Sequence, residues 1–231
     1  MKTKYTCSGD RAITVEFGDK ISETVSRRVS AMKREVERRR IYGVEEVVQT
    51  YRSLLIYYDP IRGYRELEKE LIEIERTLET EERTPERTVE IPVLYGGEFG
   101  PDIEAVSRHC GLPVDEVVKR HAEGRYLVHM IGFTPGFPYL GGLDESISAP
   151  RRDTPRLKVM KGSVGIAGVQ TGIYPIESPG GWNIIGRTPL KLYSPEREVP
   201  VLLEPGDYVS FKSIDRDEYK RLENMVERGE L

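Results

Sequence analysis

Between Gly132 and Arg187 the chain concentrates 11 of its 22 glycines, many of them beside prolines. They form two clusters, Gly132-Phe133-Thr134-Pro135-Gly136-Phe137-Pro138-Tyr139-Leu140-Gly141-Gly142-Leu143 and Ser178-Pro179-Gly180-Gly181-Trp182-Asn183-Ile184-Ile185-Gly186-Arg187-Thr188. Glycine weakens a regular element unless the backbone needs positive φ or a close approach. Proline fixes φ and removes a donor. Beyond Arg125 the pattern is therefore one of short strands separated by tight turns, which suggests a small closed barrel or sandwich. Rigid loops on such a scaffold are where binding and chemistry sit.

The first part of the chain reads differently, as an α+β unit. Ala12–Phe17 alternates like a strand. Ile21, Val25, Val29, Met32 and Val36 then recur on one face of a helix, with Gly43 placed to end it. Val44–Tyr58 offers two strands around a break near Arg52-Ser53. Tyr64, Leu67, Leu71, Ile74 and Leu78 form one side of a second helix. This β–α–β–β–α order resembles a ferredoxin-like layer. The polar stretch Glu79–Arg87, with Pro85, reads as a linker, giving domains at 1–84 and 85–231. Strand Thr88–Leu94 and short helices Asp102–Cys110 and Val114–Glu123 open the second domain. A last helix starts at Asp215, with Glu218 placed for a capping box.

Composition narrows the function. A net charge of −4 argues against nucleic acid as a partner of the whole chain. The sequence contains no long uncharged apolar run and no signal-peptide core at its start, so the expectation is a cytoplasmic protein without membrane contact. Two separated cysteines, Cys7 and Cys110, and three lone histidines give neither a disulfide framework nor a metal site. Charged residues make up 32%, while Asn and Gln amount to Gln49, Gln170, Asn183 and Asn224. That balance points to a thermophilic source, with ordinary compositional drift as the alternative.

Several residues could carry chemistry. Tyr126–Phe133 alternates as a strand, which puts His129 on one side with Ile131 and Phe133. His129 there is either an acid/base group or a half-buried histidine satisfied by backbone. Phe133, Phe137 and Tyr139, held by Pro135, Gly136 and Pro138, make an apolar wall for a small planar amide; the competing reading is that they plug the barrel end. Arg151, Arg152, Arg156, Lys158 and Lys161 oppose only Asp153. They could hold an anion, although Arg152 and Lys158 read as solvated charge. Ser178–Trp182 resembles a backbone nest that could bind an anion through Gly180 and Gly181, with Asn183 and Arg187 on the strand leading away and Trp182 packed inside. There is no phosphate-loop pattern, no Gly-x-Ser-x-Gly elbow and no Cys–His nucleophile set.

These clusters, joined by Pro150-Arg151, Pro155-Arg156 and Gly162-Ser163-Val164-Gly165-Ile166-Ala167-Gly168-Val169-Gln170-Thr171-Gly172-Ile173-Tyr174-Pro175, resemble the B-subunit family of 5-oxoprolinase. That family includes the kinase inhibitor KipI, and older labels call it allophanate hydrolase subunit 1. The dense match covers about residues 126–193. Met160-Lys161 departs from the family's Pro-Ala. The resemblance implies a cyclophilin-like barrel after the α+β domain. It also implies an ATP-dependent conversion of 5-oxo-L-proline to L-glutamate by a complex that adds a C-type paired barrel protein and an A-type protein. ATP is then a reactant of the complex, with no nucleotide motif in this chain, and self-association is open. His129 and the Pro-Arg pairs of Arg151 and Arg156 fall on the family's motif. His129 and Arg187 are the expected catalytic groups. Phe133, Pro135, Gly136, Tyr139, Arg151, Arg156, Gly180, Gly181 and Asn183 are the expected substrate contacts. The other reading is a KipI-like interaction protein that blocks histidine-kinase autophosphorylation. Without an amidase nucleophile, allophanate hydrolysis by this chain alone is rejected.

Overall fold

The computed structural model describes residues 3–78 and 87–230. The chain divides into two units, Met1–Pro85 and Glu86–Leu231. The expected linker lies, apart from Arg87, outside the described residues.

In the first unit four antiparallel strands, β1 (Lys4–Cys7), β2 (Ala12–Glu16), β3 (Val44–Gln49) and β4 (Ser53–Tyr58), run in the order β1-β2-β4-β3. Helices α1 (Glu23–Arg39) and α2 (Tyr64–Arg76) pack on the sheet. Val29, Met32 and Val36 meet Leu67, Leu71 and Ile74 over Ile13, Val15, Leu54 and Ile56. Each such side chain contributes roughly 1.5–3 kcal/mol by leaving water. The periodic positions thus form the core, with one exception. Ile21 precedes the N-cap Ser22 and stands in solvent. Gly43 is also not the stop: α1 ends at Arg40, itself left-handed at φ 46, and Gly43 turns the chain into β3.

The layer is ferredoxin-like with one difference. The outer position beside β2, which a strand following α2 would take, is filled by β1 from the start of the chain. Four mostly exposed residues give no apolar alternation to read. Tyr5 instead anchors the strand through its hydroxyl, which donates to Glu75 (2.8 Å), while Arg28 also binds Glu75 (2.8 Å).

The second unit is a closed seven-stranded barrel, the cyclophilin-like architecture. Its strands are β5 (Thr88–Tyr95), β6 (Arg125–Ile131), β7 (Pro138–Gly141), β9 (Ser163–Ala167), β10 (Gln170–Ile173), β12 (Asn183–Arg187) and β13 (Tyr208–Ser213). They close in the order β10-β7-β6-β13-β5-β12-β9. All neighbours are antiparallel except β13 and β5, which run parallel from Tyr208↔Thr88 to Ser213↔Val93. Outside this barrel β8 (Arg156–Val159) pairs with β11 (Ser178–Gly180). Helices α3 (Ile103–Cys110), α4 (Val114–Glu123) and α5 (Arg216–Glu227) complete the unit. At α5 the Asp215 carboxylate accepts from the Glu218 N–H (2.8 Å), but Glu218 turns to Arg221, so the cap is one-sided. Among the described residues no helix is long and apolar enough to cross a membrane.

The barrel interior holds Ile91, Val93, Val128, Leu140, Val164, Ile166, Ile173 and Val209 together with one polar chain. His121 of α4 is fully buried, stacked on Phe211 at 4.5 Å. Thr171 Oγ1 donates to the Gly165 carbonyl (3.0 Å), so it accepts from His121 Nε2–H (2.9 Å), which leaves Nδ1 to accept from the Tyr95 hydroxyl (2.7 Å). Every polar atom of that chain is thereby paired inside an apolar core. Burial pushes the His121 pKa down to about 3.

Candidate functional site

The first glycine cluster leaves β6 through a closed turn. The Gly132 N–H donates to the Phe137 carbonyl (3.1 Å) and the Phe137 N–H to the Thr134 carbonyl (3.1 Å). Phe133 sits at its tip with φ 69 and 64% of its surface exposed. A left-handed backbone at a bulky residue is strained, and such strain gathers at functional sites. Its ring meets Phe137 edge-on at 5.7 Å. Phe137 in turn contacts Tyr139 (4.9 Å), Tyr174 (5.2 Å) and Trp182 (5.5 Å). These rings form a second small core between the barrel wall and the β8–β11 ribbon. Phe137 and Trp182 are buried in it, whereas Phe133 and Tyr139 face outward at its rim. Pro135 stands exposed, and Gly136, at φ 79, packs against Tyr193 and Pro175.

His129 is not on a regular strand. Val128 pairs with Leu140 and Met130 with Tyr139, so His129 is the extra residue of a β-bulge. The expected common side with Ile131 and Phe133 is broken: Ile131 packs on the barrel core while Phe133 projects into solvent. The buried imidazole lies against the α-carbon of Gly141 on β7, where any Cβ would collide with it.

A strap from Pro150 to Arg156 crosses this face, and its charges are sorted by one acid that sequence reasoning missed. Asp102, 3% exposed at the start of α3, accepts from Arg152 Nη1 (2.7 Å), from both Arg156 Nη atoms (2.8 Å each) and from the Ile184 N–H (2.7 Å). Arg152 is therefore anchored rather than solvated, and Arg156 spends its guanidinium on Asp102. Lys158 pairs with Glu177 (2.8 Å). Among the described residues Arg151 and Lys161 have no carboxylate partner. Of these two, Arg151 is the one whose charge acts on both the Tyr139 and Tyr174 hydroxyls. Burial raises both phenols, and Arg151 offsets part of that rise.

The second glycine cluster supports the same face. Neither Gly180 nor Gly181 has positive φ, so the segment is strand β11 and its turn, not an alternating nest. The glycines instead admit neighbours. A Cβ at Gly180 would collide with the Tyr174 hydroxyl, which the Trp182 backbone hydrogen-bonds. Gly181 offers its carbonyl to the Arg152 N–H (2.8 Å). Asn183 Nδ2 donates to the carbonyls of Pro150 (2.7 Å) and Ile166 (3.3 Å). Arg187 goes elsewhere: its guanidinium lies over Phe99 at 5.1 Å and acts on Tyr219 of α5, contacts shared with none of His129, Tyr139 or Arg151. Among the described residues no group of three acids, histidines or cysteines is placed to hold a metal ion.

The structure thus brings together Phe133, Tyr139, Arg151, Arg156, Gly180, Gly181 and Asn183 around one aromatic rim on which the charge of Arg151 acts. The family model of the carboxyltransferase domain, subdomain C and D, matches residues 3–203 of this chain. The chain is 42% identical over 226 residues to the B subunit of 5-oxoprolinase from Bacillus subtilis (strain 168), covering 91% of this chain and 92% of that relative. The conserved uncharacterized protein PH0987 from Pyrococcus horikoshii is 49% identical, with a TM-score of 0.57 over 94% of this chain and 100% of that one. TTHA0988 superposes with a TM-score of 0.79 at 39% identity over 89% of this chain, which spans 40% of that longer protein. The chain belongs to the B-subunit family of 5-oxoprolinase.

Proposed function

We propose that this chain serves as the B subunit of an ATP-dependent 5-oxoprolinase, and that its aromatic rim and Arg151 bind the anionic lactam. The observation that carries this is the sorting of charge on the strap. Arg152 and Arg156 share the one carboxylate of Asp102, whereas Arg151 has no carboxylate partner among the described residues and its charge acts on Tyr139 and Tyr174.

5-Oxo-L-proline is a flat five-membered lactam with a carboxylate. Arg151 pairs with the carboxylate, and a charge-assisted bond of that kind is stronger than a neutral one. Phe133 and Tyr139 supply the apolar wall for the ring, with Pro135 and Gly136 fixing the turn that carries it. His129 stands in the β6–β7 wall against Gly141 and is assigned to proton handling or to orienting that wall. The reaction of the complex consumes 5-oxo-L-proline, ATP and water and yields L-glutamate, ADP and phosphate. Phosphorylation of the amide oxygen would activate the lactam, and no residue of this chain is assigned to ATP. The chain is accordingly inactive alone and works with the C-type paired barrel protein and the A-type protein of such a complex.

The test is to co-purify this chain with the products of neighbouring genes and assay ATP-dependent glutamate release from 5-oxoproline. Release that requires this chain is the expected result. A stable complex that releases no glutamate overturns the substrate, and failure to form any complex overturns the role in an assembly and favours the kinase-inhibitor reading.

A further inference from the structure

We infer that Asp102 is a positioning residue for Arg151, acting through the strap; the inference rests on Arg151 as the anion contact. Arg151 has neighbours whose backbones are both tied. The Pro150 carbonyl is held by Asn183 Nδ2 at 2.7 Å, and the Arg152 N–H by the Gly181 carbonyl at 2.8 Å. Those ties fix two points of the backbone on either side of Arg151.

Asp102 adds a third tie, through the side chains of Arg152 and Arg156. It is buried, arrives from α3 far away in sequence, and receives four hydrogen bonds of 2.7–2.8 Å. Three come from the two flanking arginines and the fourth from Ile184 of β12. The same residue's N–H donates to the Ile184 carbonyl at 2.9 Å. One carboxylate thus welds the strap to the barrel strand beside it. It also leaves Arg151, and not its neighbours, with an unclaimed guanidinium. A buried ion pair adds little net stability over an apolar replacement, so the role inferred for Asp102 is one of arrangement.

The experiment uses the assembled complex with 5-oxoproline as the probe and three variants, Arg151→Gln, Asp102→Asn and Arg152→Gln. Arg152→Gln removes one bond to Asp102 and leaves the bidentate Arg156 pair, so it keeps the test alive if Asp102→Asn does not fold. Arg151→Gln should raise KM about tenfold with kcat within about twofold, as loss of a contact made equally in ground and transition state. Asp102→Asn and Arg152→Gln should each raise KM several-fold, and add nothing once Arg151 is already Gln. An equal rise in both backgrounds overturns the positioning role. Backbone order at the Arg151 amide, read by 15N relaxation on this chain, separates positioning from substrate contact. If it is unchanged in both Asp102→Asn and Arg152→Gln, the inference is wrong. If it loosens while Arg151→Gln leaves KM untouched, Asp102 does position Arg151 and the substrate assignment falls instead.

Discussion

Acid should loosen the barrel through a single ring. His121 is fully buried and its pKa is pushed down to about 3 by burial, against an ordinary 6.5. A depressed folded-state pKa means the unfolded chain binds the proton first. The neutral ring's contribution is complete above pH 6.5 and is lost as pH falls toward 3. At pH 5 the unfolded imidazole is largely protonated while the folded one is not, which removes about 2 kcal/mol; below both pKa values the loss approaches about 5 kcal/mol. Against the usual 5–15 kcal/mol of a domain, the first figure is measurable and the second is decisive. The comparison is with His121→Gln, which keeps a donor and an acceptor for Thr171 and Tyr95 but cannot titrate. Urea unfolding followed by fluorescence reports on this unit, because Trp182 is the chain's single tryptophan. Between pH 7.5 and 5 the parent should lose about 2 kcal/mol more than the variant. His109, His129 and the carboxylates are common to both proteins and cancel in the difference. Equal losses would refute the buried neutral relay.

Three other perturbations probe the site. Phe133→Gly relieves a left-handed backbone and should hold or raise stability, by up to about 1 kcal/mol, while weakening substrate binding; a variant that melts earlier than Phe133→Ala contradicts the strain. Gly180→Ala forces a Cβ onto the Tyr174 hydroxyl and should destabilise the barrel unit by about 1–3 kcal/mol. Tyr174→Phe in the same chain should recover part of that, and calorimetry that detects no recovery locates the clash elsewhere. His129→Gln in the assembled complex should lower kcat about 10²-fold or more if the imidazole moves protons. Full activity in an intact complex removes His129 from the chemistry.

The alternation of short strands with Gly and Pro made the barrel legible, and the period of α1 and α2 made the first layer legible, because both patterns follow from which faces meet water. Signals that depend on a partner distant in sequence were not. Asp102 is an ordinary helix-start acid until Arg152 and Arg156 fold over it, and nothing near Asp102 announces them. The bulge at His129 likewise arises from a mismatch between β6 and β7, which no single strand encodes. Strand β1 carries a single core-facing ring, Tyr5, whose hydroxyl bonds Glu75 of α2, a partner distant in sequence. Arg187 is expected at the site from its place beside the second glycine cluster, yet its guanidinium lies over the ring of Phe99.

The parallel pairing of β13 with β5 has a consequence for how the protein is made. Strand β5 emerges from the ribosome early, but its neighbours β12 and β13 are both late, and β13 also completes β6. Loop-closure entropy must be met before contacts of such sequence separation form, so this topology folds slowly. The first layer, with its β1–β2 and β3–β4 hairpins, needs no such wait. During synthesis the nascent barrel therefore carries open strand edges until Ser213 has cleared the tunnel. Those edges are the place where chaperones, or aggregation, would act first.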